Sequence, residues 1–137
     1  MLDQLLVSGA VTVCNITIHA FVMALVVNAA QAMGNKGIAR PTLRLASVMI
    51  ATVLVLMVAH VSEVAVWAMA YWLVDAVPAG TSFAYFALVN YTTLGYGDVV
   101  PVPDWRLLGP MTAMNGILLF GWSTAVIFEV LRKAMAI

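Results

Sequence analysis

Charged side chains are scarce in this sequence. Only 9% of its 137 residues are charged, and six basic residues balance six acidic ones, whereas soluble domains carry about 25% charged residues. A chain without net charge lacks the basic surface that nucleic acids need, so a nucleic-acid partner is not expected. The single cysteine, Cys14, excludes an internal disulfide and a cysteine metal cluster.

Apolar residues are abundant instead, at 64% of the chain. Three runs are long enough to cross a hydrocarbon core of about 30 Å as helices: residues 2–32, 42–74 and 107–130. They predict one all-α domain that spans the membrane three times. Trp67, Tyr71 and Trp72 cluster near the end of the second run, which is typical of an interfacial aromatic belt. None of the runs is rich in arginine, so a voltage sensor is not expected.

The first run carries a polar stripe. Ser8, Thr12, Asn15 and His19 follow a spacing of four, three and four residues, which places them on one face of a helix. Lipid solvates such a face poorly, so we expect the stripe to pack on protein. The expected contact is the second run of the same chain or of a neighbouring subunit, with the first helix at the periphery of the molecule.

The second run contains two ionisable residues, His60 and Glu63, which lie on one helix face. Ionisable groups inside a membrane helix are costly and suggest a function. If the first two helices run antiparallel from a short loop, matching depths pair Asn15 with about His60 and Thr12 with about Glu63. The sequence therefore predicts a buried network of these four residues. Whether it locks the helices together or senses pH stays open.

A polar, glycine-containing stretch at residues 92–98 separates two apolar segments. A short helix is predicted just before it, at 82–92, with Thr81 or Ser82 as its N-cap. Backbone groups without partners at membrane depth cost several kcal/mol each, so such a stretch must be buried in protein or line a watery cavity. Gly95 and Gly97 allow alternating backbone conformations that turn successive carbonyls to one side. A ring of such carbonyls can replace the hydration shell of a monovalent cation.

The run Thr93-Leu94-Gly95-Tyr96-Gly97-Asp98 resembles the signature of the potassium channel pore-domain family, with Leu94 where valine or isoleucine is more usual. The resemblance covers about residues 81–133. It implies an outer helix at 42–74, a re-entrant pore helix at 82–92, an extended filter at 93–97 and an inner helix at 107–131. An extra membrane helix at 1–33 and a cytoplasmic loop at 34–41 precede this domain. The implied assembly is a homotetramer with four-fold symmetry.

The same resemblance assigns the permeant ion to four backbone carbonyls and one hydroxyl. K⁺ is expected to bind the carbonyl oxygens of Thr93, Leu94, Gly95 and Tyr96 and the hydroxyl of Thr93. No other cofactor is expected.

The resemblance also assigns supporting roles. Gly97 and Asp98 are expected to hold the outer end of the filter, and Tyr85 occupies the place of the pore-helix aromatic that bonds this aspartate. Gly116 resembles the hinge glycine of the inner helix. A close-packing role for Gly116 is an equal alternative.

The predicted function is passive, K⁺-selective conduction across a lipid bilayer. The alternatives are a poorly selective monovalent cation channel and a non-conducting accessory or sensor protein. An enzyme is not expected, because no nucleophile–base pair or metal-ligand cluster is recognisable in the sequence. Five of the six basic residues share one side of the predicted topology: Lys36, Arg40, Arg44, Arg132 and Lys133. The positive-inside rule then places the N-terminus outside and the C-terminus in the cytoplasm of a bacterial cell.

Overall fold

The computed structural model describes residues 1–34 and 41–135, and these residues form helices without any strand. The helices are α1 (Leu2–Gly34), α2 (Pro41–Leu73), α3 (Phe83–Tyr91) and α4 (Leu108–Met135), with a 3-10 turn at Pro103–Trp105 before α4. Three stretches are long and apolar enough to cross a membrane: Leu2–Gln31, Thr42–Leu73 and Pro103–Met135. The prediction of an all-helical integral membrane protein is confirmed in this respect.

The helix ends lie close to the predicted ones. Helix α2 begins and ends one residue before the predicted 42–74, and α3 lies inside the predicted 82–92. Helix α4 continues four residues beyond the predicted end at 131. Its last turn is stabilised by Glu129, which bonds Arg132 at 2.8 Å and Lys133 at 3.4 Å. Of the predicted loop at 34–41, residues 35–40 lie outside the described part of the chain.

Helix α1 packs against both α2 and α4, which is more contact than its predicted peripheral position implies. The polar stripe explains this position, because Ser8, Asn15 and His19 are fully buried between the helices. Thr12, the fourth member of the stripe, is partly exposed. At the start of α1, the Gln4 side chain accepts a hydrogen bond of 2.8 Å from the backbone N–H of Leu107. Helix α1 is therefore attached to the beginning of α4 as well as to α2.

Helix α3 lies between α2 and α4 and is surrounded by one of two apolar clusters. Trp67 and Tyr71 are fully buried in this cluster, so the prediction that they belong to an exposed aromatic belt is wrong. Their polar atoms find partners inside the protein, since the Trp67 N–H donates to Asn115 at 2.9 Å and the Tyr71 hydroxyl bonds Thr112. Trp72 remains 62% exposed. The second cluster packs α1, α2 and α4 together further along: Met23, Val26, Val48, Leu56, Val126 and Val130.

Candidate functional site

Helix α3 is short because both of its ends are capped locally. The Ser82 side chain accepts a hydrogen bond of 3.3 Å from the backbone N–H of Tyr85, as an N-cap does. At the other end the N–H of Thr92 bonds the Leu88 carbonyl at 3.0 Å. The chain then leaves the helix and enters a stretch without regular secondary structure at residues 94–96.

The backbone of this stretch alternates in conformation. Thr93, Gly95 and Gly97 have φ angles of 60°, 54° and 76°, whereas Leu94 and Tyr96 between them have negative φ. The left-handed conformation costs about 1–2 kcal/mol for a residue with a Cβ atom, so Thr93 holds it against a local preference. Glycine adopts it readily. The alternation rotates each peptide plane relative to the next.

The N–H groups of this stretch are bonded to α3. The amides of Leu94 and Gly95 both donate to the Val89 carbonyl, at 3.0 and 3.3 Å, and the Thr93 amide donates to the Asn90 carbonyl at 2.9 Å. In the described part of the chain, no N–H or hydroxyl group donates to the carbonyls of residues 93–96. These oxygens are therefore available to a ligand. The side chains are also open, with Leu94 54% and Tyr96 67% exposed.

Asp98 follows this stretch and bonds back to α3. The Tyr85 hydroxyl donates to Asp98 Oδ2 at 2.7 Å. This hydrogen bond raises the pKa of the Tyr85 hydroxyl above its ordinary value of 10.0. The Asp98 carboxylate accepts a hydrogen bond from the protonated hydroxyl and would repel a phenolate. The stabilisation from the Tyr85–Asp98 hydrogen bond is present below the ordinary tyrosine pKa and is lost as the pH rises through the raised pKa of Tyr85. The hydrogen bond is therefore intact at neutral pH. Tyr85 and Asp98 thus fasten the end of the stretch to α3.

Replacing Tyr85 by phenylalanine removes this fastening and keeps the ring. We expect amide hydrogen exchange in the peptide that covers residues 93–99 to accelerate by about threefold to tenfold, as for the loss of one hydrogen bond of ordinary strength. Trp72→Phe, at an exposed position, is the control and should leave the exchange rate of this peptide unchanged. Equal exchange rates in Tyr85→Phe and in the unmodified protein would contradict the assignment.

Helix α4 touches the end of α3 at Gly116. A Cβ atom built on Gly116 would overlap the backbone carbonyl of Tyr91, the last residue of α3. The sequence left open whether Gly116 is a hinge or a close-packing residue, and this contact gives it a packing role that needs no bending. The approach of α4 to α3 depends on the missing side chain.

The Glu63 side chain is a shared hydrogen-bond acceptor for residues of α1, α2 and α3. Its carboxylate oxygens bond His19 Nδ1 at 2.8 Å and His60 Nδ1 at 3.0 Å, and they accept a hydrogen bond from the Tyr91 hydroxyl. Ser123 of α4 lies on the other side of the two imidazoles, at 2.9 Å from His60 Nε2 and 3.3 Å from His19 Nε2. Glu63, His19, Ser123 and His60 therefore form a closed ring of hydrogen bonds with members from α1, α2 and α4, and Tyr91 of α3 bonds to it at Glu63.

One arrangement of protons satisfies every hydrogen bond of the ring. In this arrangement the Glu63 carboxylate accepts on both oxygens and both histidines donate from Nδ1. Ser123 has one hydroxyl hydrogen and can donate to only one of the two Nε2 atoms. All bonds form when the other Nε2 is protonated and donates to Ser123. The ring then pairs one carboxylate with one imidazolium and carries no net charge, which suits a position within the apolar bundle.

A second set of amide hydrogen bonds extends this cluster. Asn15 Nδ2 donates to the Glu63 backbone carbonyl at 3.2 Å and to Asn115 Oδ1 at 2.9 Å, and Trp67 donates to the same Asn115 oxygen. Among the described residues, Asn15 Oδ1 and Asn115 Nδ2 are buried without a partner. Helices α1, α2 and α4 are thus joined by amides beside the ring.

The sequence predicted part of this cluster. Asn15, His60 and Glu63 do lie together, but the contact with Glu63 comes from His19 and not from Thr12. Side chains lean toward the N-terminus of their own helix, so in an antiparallel pair His19 and Glu63 lean toward each other and meet across a depth difference. Loop length alone does not set this register. Tyr91, which also bonds Glu63, lies in the predicted short helix at 82–92, and the sequence gives no sign of this contact.

The helices and the exposed, carbonyl-bearing stretch define an integral membrane protein in which irregular backbone is held against a short helix. The family model described as an ion channel matches residues 55–133, more than half of the chain. The chain belongs to this ion channel family. The matched part begins within α2 and includes α3, residues 92–98 and most of α4, and it indicates a transport protein. Neither the curated proteins nor the solved structures gave a match.

Proposed function

We propose that the chain is one subunit of a K⁺-selective channel that conducts passively through residues 93–97. In this proposal the carbonyls of Thr93, Leu94, Gly95 and Tyr96 and the hydroxyl of Thr93 replace the water around K⁺. Hard cations prefer oxygen ligands, and carbonyl rings coordinate them without a net charge on the protein.

The observation that supports this proposal most is the backbone of the stretch itself. Positive φ angles recur at Thr93, Gly95 and Gly97. The amides of Leu94 and Gly95 are directed to α3. Carbonyls that are free while the neighbouring amides are bonded are what a cation site needs, because an exposed N–H would repel the ion.

The proposal requires four copies of the chain. Each chain supplies one carbonyl-bearing segment, and a cage around an axis needs a closed ring of such segments, so the expected assembly is a homotetramer in the bilayer. The exposure of Leu94 and Tyr96 supports this assembly, since neighbouring subunits would cover both side chains. Gly97, Asp98 and Tyr85 then hold the outer end of each segment.

The proposed orientation rests on the basic residues. With three membrane-spanning helices and a re-entrant α3, Arg44 at the start of α2 shares a side with Arg132 and Lys133 at the end of α4, and positive residues favour the cytoplasm. The N-terminus and the filter mouth then face outward, in a bacterial cell membrane.

Ion flux from purified protein in liposomes tests the proposal. We expect flux along a K⁺ gradient, little flux along a matched Na⁺ gradient, and block of the K⁺ flux by Ba²⁺. Gly95→Ala should abolish the K⁺ flux, because a side chain strains the left-handed backbone at that position. The matched control is Gly9→Ala, since Gly9 has no positive φ and open space around its Cβ position.

Each other outcome changes the proposal in a defined way. Flux of both cations would keep the channel and reject K⁺ selectivity in favour of a poorly selective cation channel. A cross-linked mass of a monomer or dimer would reject the channel and favour a non-conducting accessory or sensor protein.

A further inference from the structure

The ring around Glu63 contains the side chains of a metal site. We propose that His19, His60 and Glu63 bind a first-row divalent transition metal ion, with Zn²⁺ the best match, and that the ion joins α1 to α2 directly below α3. The sequence showed no metal cluster, because His19 lies 44 residues from Glu63 and only the fold brings them together.

The distances between the ligand atoms are close to those of a zinc site. One nitrogen of each histidine and one carboxylate oxygen all lie within 4.8 Å of one another. Zinc bonds to nitrogen and oxygen are about 2.0–2.2 Å long, so ligand atoms in a tetrahedral site are about 3.3–3.6 Å apart. The widest gap must therefore close by about 1.5 Å or less, which small side-chain rotations achieve without a shift of the helices.

The donor set selects the kind of metal. Two imidazoles and one carboxylate suit zinc and its first-row neighbours, whereas Mg²⁺ and Ca²⁺ require oxygen ligands throughout. The fourth position can be filled by an oxygen, because the Tyr91 hydroxyl already contacts the Glu63 carboxylate and His60 Nδ1.

The surroundings hold the ligands in place. His19 and Glu63 are completely buried, and the Ser123 hydroxyl lies at hydrogen-bond distance from the second nitrogen of both histidines. Such outer hydrogen bonds fix the rings of metal-binding histidines. His60 keeps 10% of its side-chain surface exposed, which gives an ion a way to approach. Metal binding displaces the protons that the ring holds.

Zinc uptake by the purified full-length chain in detergent tests this site. The protein must carry no histidine tag and must first be treated with a chelator. We expect one Zn²⁺ per chain by elemental analysis, and an X-ray absorption spectrum with two imidazole nitrogens at about 2.0–2.1 Å. His19→Gln and His60→Gln should each weaken zinc affinity by at least about tenfold, the loss found even for outer-shell partners of metal sites.

Two control variants separate this site from surface binding. Asp104→Asn removes an exposed carboxylate, and Cys14→Ala removes the exposed thiol. Both should bind zinc as the unmodified chain does.

The proposal is overturned by uptake no greater than in the detergent blank, by uptake that both histidine variants retain in full, or by a spectrum with only oxygen or sulfur ligands. The spectrum of the unmodified chain decides the question even if a histidine variant fails to fold. Any effect of zinc on K⁺ flux rests on the proposed channel function, but zinc uptake does not. A chain that binds zinc and does not conduct would therefore reject only the channel.

Discussion

Replacing Gly116 by alanine is expected to reduce K⁺ flux by at least tenfold and to destabilise the protein by about 1–3 kcal/mol, the usual cost of overpacking a filled interior. The added Cβ overlaps the Tyr91 carbonyl, so α4 and the end of α3 must move apart. One residue separates Tyr91 from Thr93, and the Thr93 carbonyl is the first of the proposed K⁺ ligands. A displacement at Gly116 therefore reaches the proposed filter through two peptide bonds.

The matched control for this variant is Gly121→Ala on the same helix. A Cβ atom on Gly121 meets nothing within 4 Å, so this substitution should leave both flux and stability nearly unchanged. Liposome flux and thermal unfolding in detergent give the two readouts. If Gly116→Ala unfolds like the unmodified protein while its flux falls, the residue is a hinge and the packing explanation is wrong.

Replacing Glu63 by leucine is expected to cost about 2–5 kcal/mol in the free energy of unfolding. The lower figure corresponds to three hydrogen bonds, two between helices and one within α2, at about 0.6 kcal/mol each in a membrane. The upper figure corresponds to the loss of one partner from a buried ion pair, about 3–5 kcal/mol. Leucine fills the space but leaves His19, His60 and Tyr91 without their common acceptor.

Glutamine at the same position should cost less than leucine. Its amide still accepts one hydrogen bond, and a histidine that changes tautomer can accept from the amide nitrogen. Ser62→Ala at the adjacent position is the control, because the partners of the Ser62 hydroxyl among the described residues are carbonyls of its own helix, those of Val58 and Ala59. Unfolding in mixed detergent micelles measures all three variants. A Glu63→Leu variant as stable as Ser62→Ala would show that the ring contributes nothing to folding.

The parts of this protein that depend on local sequence were predictable. The short helix at Phe83–Tyr91 and the glycines of the following stretch are determined by neighbouring residues, so their positions could be read from the sequence. The N-cap was narrowed to Thr81 or Ser82, and the structure has Ser82. The contact of Tyr85 with Asp98 was expected from the resemblance to the channel family, and the two side chains are hydrogen-bonded in the structure.

The buried cluster was only partly predictable, because its contacts depend on the axial and rotational positions of three long helices relative to each other. Apolar surfaces of membrane helices pack at many registers, and the pairing of Asn15 with His60 assumed a single one. The structure pairs His19 with Glu63 instead. Trp67 and Tyr71 were misplaced for a related reason, as an aromatic cluster at a helix end does not reveal whether protein or lipid surrounds it.

The ring around Glu63 has a consequence for biogenesis. Its members lie far apart in the chain, with His19 and Ser123 separated by 104 residues. Synthesis from the N-terminus delivers α1 and α2 to the membrane first. At that point Glu63 has its histidines but not Tyr91, and the imidazoles lack Ser123. We therefore expect α1 and α2 to pair first through His19, His60 and Glu63, and the ring to close only when α4 brings Ser123 to the two imidazoles.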